Sequence, residues 1–146
     1  MKFAYKPVFF ILLVVLGIIA VAGISALTRP SPIIPWRSNW SDAQAEARRS
    51  GKPVFAYFTA DWCGPCQRMK HTTWADAGVE AALRDYVPVM VDVDRQPDLA
   101  RKYVPTPRNL EGGIPAFRVL DQNGQIAREA VGAMPPEDFL KWLGKK

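Results

Sequence analysis

Along the chain the apolar positions fall into three regimes. Residues 8–27 form a run of twenty with Ser25 as its only polar member, the length a bilayer-spanning helix requires. Residues 28–38 carry Pro30, Pro32 and Pro35, which disfavour helix and favour an extended, polyproline-like spacer. Beyond them, short apolar runs alternate with amphipathic stretches, the pattern of a single α/β domain. The expected organisation is a leader at 1–7, a transmembrane anchor at 8–27, a linker at 28–38 and a domain at 39–146.

Within the domain, Ser41-Asp42 opens a helix through Ala43, Ala45 and Ala47 that ends at Gly51, a capping residue at one end and glycine at the other. Residues 53–59 are apolar, aromatic and β-branched, as a buried strand should be. The residues from Cys66 to Thr73 suit a helix. Asp76 can cap another, with Val79, Ala82, Leu83 and Tyr86 on one face. Residues 87–94 read as a strand and 97–103 as a short helix with Pro97 in its first turn. Residues 104–113 hold two prolines and two glycines and read as a loop. Two strands, 116–120 and 125–131, flank the turn signal Asn123-Gly124. Pro135-Pro136-Glu137-Asp138 then opens a last helix that buries Phe139, Leu140 and Leu143 and stops at Gly144. The order is βαβα followed by ββα.

Charge narrows the function classes. The chain has 19 basic and 14 acidic residues; without Lys2 and Lys6 the balance is 17 against 14, too little for nucleic-acid binding. Lys2 and Lys6 before the apolar run, and Arg29 and Arg37 after it, nearly tie the positive-inside count. The short basic leader favours a cytoplasmic N-terminus and an extracytoplasmic domain. A cleaved signal peptide is the rival reading, but its apolar region usually ends after about 7–15 residues. No cysteine follows the run to carry a lipid.

Both cysteines of the chain, Cys63 and Cys66, stand two residues apart where the 53–59 strand gives way to a helix. A cysteine at a helix N-terminus meets free N–H groups and the positive end of the helix dipole, which favour its thiolate. Three residues apart on one helix face, the two thiols can close a disulfide. Cys63, expected at the exposed helix start, can attack a foreign disulfide, and the shielded Cys66 can displace the product by exchange. Pro65 sits where its missing N–H costs nothing. A zinc site needs about four ligands, and His71 is the only histidine. A bridge across two residues constrains very little of the unfolded chain, which argues against a purely structural disulfide.

Phe58-Thr59-Ala60-Asp61-Trp62-Cys63-Gly64-Pro65-Cys66 resembles the active site of the thioredoxin family. Ile114-Pro115 resembles the family's cis-proline loop, residues 89–94 its second core strand and Asn123-Gly124 its terminal hairpin. Gly51-Lys52-Pro53-Val54, with Trp74, Asp76 and Val79, is most similar to the periplasmic C-terminal domain of the membrane-embedded thiol:disulfide interchange reductase. The resemblance implies a thioredoxin-like α/β fold, a four-stranded mixed sheet flanked by helices with the 53–59 strand central, preceded by one transmembrane helix. It implies a thiol:disulfide oxidoreductase of the inner membrane facing the periplasm. Such a protein would act without a cofactor, on protein disulfides, with a membrane thiol reductase as electron donor. Cys63 would be the nucleophile and Cys66 the resolving thiol, paired as a disulfide. Trp62, Gly64 and Pro65 would form the loop between them, and Ile114 and Pro115 would bind substrate. An oxidase or isomerase, or a binding module without turnover, are the other readings.

Two departures from the family pattern bear on mechanism. Tyr57 stands where thioredoxins usually carry a buried aspartate, six residues before the first cysteine, and Met90 where a lysine often follows on the next core strand. Loss of both removes the charge pair as a unit and leaves neither partner buried alone. Cys66 then needs another proton route, through water or Asp61. The 104–113 loop, longer than thioredoxins usually have, runs into Pro115 and is expected either to help select substrates or to be an inert insertion.

Overall fold

The structure, a computed structural model, describes Ile11, Val14 and residues 34–104 and 113–145. Ile11 and Val14 are helical and exposed; the rest of the expected 8–27 span, and most of the 104–113 loop, lie outside the described residues. No helix among the described residues is long and apolar enough to cross a membrane.

Among the described residues from 34 on, five helices surround one sheet: α1 (Trp40–Ser50), β1 (Val54–Thr59), α2 (Gly64–His71), α3 (Ala77–Leu83), β2 (Val87–Asp92), α4 (Pro97–Tyr103), β3 (Ala116–Leu120), β4 (Ile126–Val131) and α5 (Pro136–Leu143). A short 3₁₀ turn, Thr73–Ala75, joins α2 to α3. The strands lie in the order β2-β1-β3-β4, β1 parallel to β2 and antiparallel to β3. This is the expected four-stranded mixed sheet with the 53–59 strand inside it.

Every residue of β1 is buried, because helices cover both faces. Phe55 and Tyr57 face α2, α3 and α5 in a cluster with Met69, Val79, Phe117 and Phe139. Val54, Ala56 and Phe58 face α1 and α4, packing with Ala43, Ala47, Val89 and Tyr103. The period of two along the strand thus feeds two separate cores.

The helix ends follow local chemistry. Asn39, not Ser41 or Asp42, caps α1: its side-chain oxygen accepts from the Asp42 N–H at 3.2 Å. Gly51 ends the helix at φ 72°, a backbone state that a Cβ disfavours. Asp76 caps α3 as expected, accepting from the Val79 N–H at 2.9 Å. In the β3–β4 connection the Asp121 carboxylate accepts from the N–H groups of Asn123 and Gln125, and Gly124 takes φ 76°.

The segment 34–38, expected to be the end of the spacer, is instead part of the domain. Ile34 is buried, and Trp36 packs against Phe55, Tyr57 and Trp74 with ring centroids 5.3–6.0 Å apart. Arg37 makes a parallel bridge to Val89 at the outer edge of β2: its N–H donates to Pro88 O, and its carbonyl accepts from Met90 N–H, both at 2.9 Å. Two nitrogens of the same guanidinium clamp Glu46 of α1 at 2.6 and 2.9 Å. The bridge cannot lengthen toward its N-terminal side, because the next rung there needs N–H groups from residues 35 and 88 and both are proline. The Pro35 carbonyl accepts from the Arg37 guanidinium instead. Three prolines make 28–38 look like spacer; two apolar side chains and a free sheet edge decide where residues 34–38 lie.

Candidate active site

Cys63 and Cys66 meet at the C-terminal end of β1, where the chain turns through Asp61 and Trp62 into α2. They are joined by a disulfide, their Cα atoms 5.2 Å apart. Cys63 is the N-cap of α2, and its sulfur accepts from the Cys66 N–H at 3.2 Å. One sulfur therefore receives both an N–H bond and the positive end of the helix, while Arg68, Lys70 and His71 complement the opposite end. These are the conditions that stabilise a thiolate on Cys63 when the bridge opens.

Both cysteines are buried, Cys63 at 3% exposure and Cys66 at 0%. The expectation of an exposed Cys63 does not hold for the bridged form, in which its sulfur lies against Cys66 within the core cluster. Gly64 meets open space: a Cβ there would find nothing within 4 Å. Pro65 lies in the first turn of α2, as expected. Trp62 is 68% exposed, and its indole N–H donates to the Asp94 carboxylate at 2.8 Å. Asp94, just past the end of β2, was not singled out by the sequence; 32 residues separate the pair.

The Ile114–Pro115 bond is cis. Pro115 is buried, and its carbonyl accepts from the Gly132 N–H at 2.8 Å. Ile114 is half-buried and makes no backbone hydrogen bond among the described residues. Asp61 is exposed, and its carbonyl accepts from the Gln67 side chain. Tyr57 lies in register with Met90 across β1 and β2, so the two departures from the family pattern are neighbours. Burial pushes the Tyr57 hydroxyl up from its ordinary value, while Thr59 and Trp74 act the other way. Among the described residues no group of three or more His, Cys, Asp and Glu side chains is placed to hold a metal.

The family model for a thioredoxin-like domain matches residues 40–146. The chain belongs to the thioredoxin-like family. This thioredoxin-like chain is 37% identical over 103 residues to thioredoxin-2 of Pyricularia oryzae, an alignment covering 68% of this chain and 53% of that protein. It is 43% identical over 107 residues to the thiol:disulfide interchange protein DsbD of Ralstonia nicotianae, covering 73% of this chain and 17% of that protein. The chain thus spans about half of the first relative and a sixth of the second. The solution structure of a thioredoxin from Thermus thermophilus superposes with a TM-score of 0.64 at 30% identity, covering 79% of this chain and 86% of that one. A bridged Cys63–Cys66 pair at a helix start on this fold is an arrangement able to carry thiol–disulfide exchange.

Proposed function

We propose that the protein is held in the inner membrane by residues 8–27, faces the periplasm, and works mainly as a reductase of protein disulfides. The observation that carries the chemistry is the hydrogen bond from the Cys66 N–H to the Cys63 sulfur at the start of α2. Reduced Cys63 attacks a substrate disulfide as its thiolate, forming a mixed disulfide and releasing one substrate thiolate. Cys66, once deprotonated, attacks the Cys63 sulfur, closes the internal bridge and expels the second substrate thiolate. Trp62, Gly64 and Pro65 form the loop around the pair, and the surface at Gly64 is open. The backbone of Ile114, beside cis-Pro115 and without a hydrogen-bond partner among the described residues, can add an extended substrate segment as a short strand.

Three features support direction and place. Gly64-Pro65 is the dipeptide of thioredoxin, whose potential is about −270 mV against about −120 mV for strong oxidants, a gap of roughly 7 kcal/mol. Similarity to the Ralstonia interchange protein supports a membrane thiol reductase as electron donor. The apolar run at 8–27, behind Lys2 and Lys6, supports the anchor and its orientation.

The full chain in bacterial membranes tests this reading. It should resist carbonate extraction, expose the domain to protease added outside the inner membrane, and reduce insulin with dithiothreitol as donor. A soluble mature form starting near residue 27 would remove the anchor. A potential near that of the oxidants would reverse the direction and support an oxidase or isomerase. Absence of insulin reduction in a folded protein would leave a binding module.

A further inference from the structure

The helix that carries Cys66 has a charge pattern the other helices lack. α2 holds Arg68, Lys70 and His71 and no acidic residue. Each of the other four helices carries an acid engaged with a cation: Glu46 of α1 holds Arg37, Glu80 of α3 holds Arg84 at 2.9 Å, Asp98 of α4 holds Arg101, and Asp138 of α5 meets Lys141 at 3.5 Å. Arg68, Lys70 and His71 are exposed and enter none of the ion pairs among the described residues.

These side chains lie along a path that leads away from the cysteine pair. Cys66 and Met69 form the buried side of α2. Gly64, Gln67, Arg68 and His71 follow one another at helical spacing on the opposite side, with Lys70 at its flank. Gly64, next to Cys63 in the chain, is exposed, and a Cβ there would meet nothing within 4 Å, so the face begins at open surface. At a rise of about 1.5 Å per residue, Arg68 stands about 6 Å beyond Gly64 and His71 about 10 Å. Those distances match the Debye length of about 8 Å at physiological ionic strength. A charge carried by a chain bound at Cys63 is therefore felt on this face. On the Trp62 side the carboxylates are largely engaged. Asp94 accepts from the Trp62 indole, and Asp92 pairs with Arg95 at 3.5 Å. Asp61, exposed in the turn before Cys63, is the carboxylate of that side with no side-chain partner among the described residues.

We propose that the outer face of α2, from Gly64 through Arg68 to Lys70 and His71, is a docking surface for acidic segments of protein substrates, so that disulfides flanked by Asp and Glu are reduced in preference to those flanked by Lys and Arg. Opposite charge raises the rate of encounter and like charge suppresses it, both most strongly at low salt. Cations near the end of a helix also complement its dipole. That role is indifferent to the charge of the substrate, so substrate charge separates the two.

This inference rests on the proposed reduction of protein disulfides and names the substrate class for that same site. The test uses full-length reduced protein in uncharged detergent micelles. Its substrates are three synthetic peptides that share one internal disulfide and differ only in flanking residues, which are Asp, Ser or Lys. At about 20 mM salt the Asp peptide should be reduced about tenfold faster than the Lys peptide, with the Ser peptide between them. The spread should close at about 500 mM salt. Arg68→Glu combined with Lys70→Glu should reverse the order of the Asp and Lys peptides; both side chains are exposed, and circular dichroism checks that the variant is folded. Equal rates for the three peptides, or an Asp preference that survives the double substitution, would overturn the docking face. Faster reduction of the Lys peptide by the unaltered protein would overturn it too and give the selection to Asp61. If the folded protein reduces none of the peptides, the reductase reading fails and takes this one with it, whereas equal rates with reduction intact remove the docking face alone.

Discussion

Tyr57 lies directly opposite Met90, the two side chains sharing one face of the β1–β2 ladder and one core. Neither carries a charge, and each fills the space beside the other. Tyr57→Asp would place a carboxylate in this core with no cation to meet it. We expect a loss of at least about 3 kcal/mol in urea unfolding, partly restored by Met90→Lys in the same chain. Turnover at pH 7 should rise, because the new carboxylate can take the Cys66 proton. Equal stability of the single and double variants would show that the two positions are not coupled.

Tyr57 also gives the protein an alkaline limit. Its hydroxyl titrates higher in the folded chain than its ordinary value of 10.0, chiefly because burial penalises the phenolate. The folded state therefore binds this proton more tightly than the unfolded chain does. Stability from this group is constant below pH 10 and falls as pH rises through 10 toward the folded value. Urea midpoints at pH 8 and pH 11 should show a larger alkaline loss for wild type than for Tyr57→Phe. Equal losses would mean that the hydroxyl ionises freely in the fold.

The two sulfurs should separate by role. Cys63→Ser should abolish exchange with protein disulfides, whereas Cys66→Ser should attack and then accumulate mixed disulfides that disappear with reductant. Mass spectrometry of trapped adducts reads this directly. Adducts on Cys66 in Cys63→Ser, with none on Cys63 in the reciprocal variant, would reverse the assignment.

The start of the folded unit can be found by truncation. A fragment beginning at Asn39 loses Ile34, the Trp36 packing and both backbone bonds of Arg37. Removing a well-packed large apolar side chain alone costs about 2–5 kcal/mol. The 39–146 fragment should melt well below a 32–146 fragment, and Trp36→Ala in the longer one should reproduce much of the difference. Equal melting temperatures would mean that the segment adds nothing to the fold.

How far the sequence could be read depended on whether the signal was local. The α4 bounds, the Asp76 cap, the Asn123-Gly124 turn and the disposition of Phe139 and Leu143 all follow from residues within a few positions of each other. The cysteine pair was legible for the same reason. The cap of α1 was misread because Ser41 and Asp42 are as good capping types as Asn39, and only the entering chain direction chooses among them. The bond from Trp62 to Asp94, and the packing of Trp74 against Tyr57, depend on which elements pack together. Nothing in the pattern of any one segment announces them.

The docking of Arg37 also bears on aggregation. β2 is an apolar strand, Val-Pro-Val-Met-Val-Asp, and its outer side would otherwise offer free N–H and C=O groups to a strand from another molecule. One residue of the chain's own N-terminal segment occupies the middle of that edge, and Pro88 supplies no N–H beside it. An incoming strand therefore meets one end already taken and the next rung missing. At the opposite edge β4 is exposed, but it carries Arg128 and Glu129, charges that are costly to bury against a copy of the same strand. The sheet is thus hindered from growing on one side by proline and self-pairing and guarded on the other by charge.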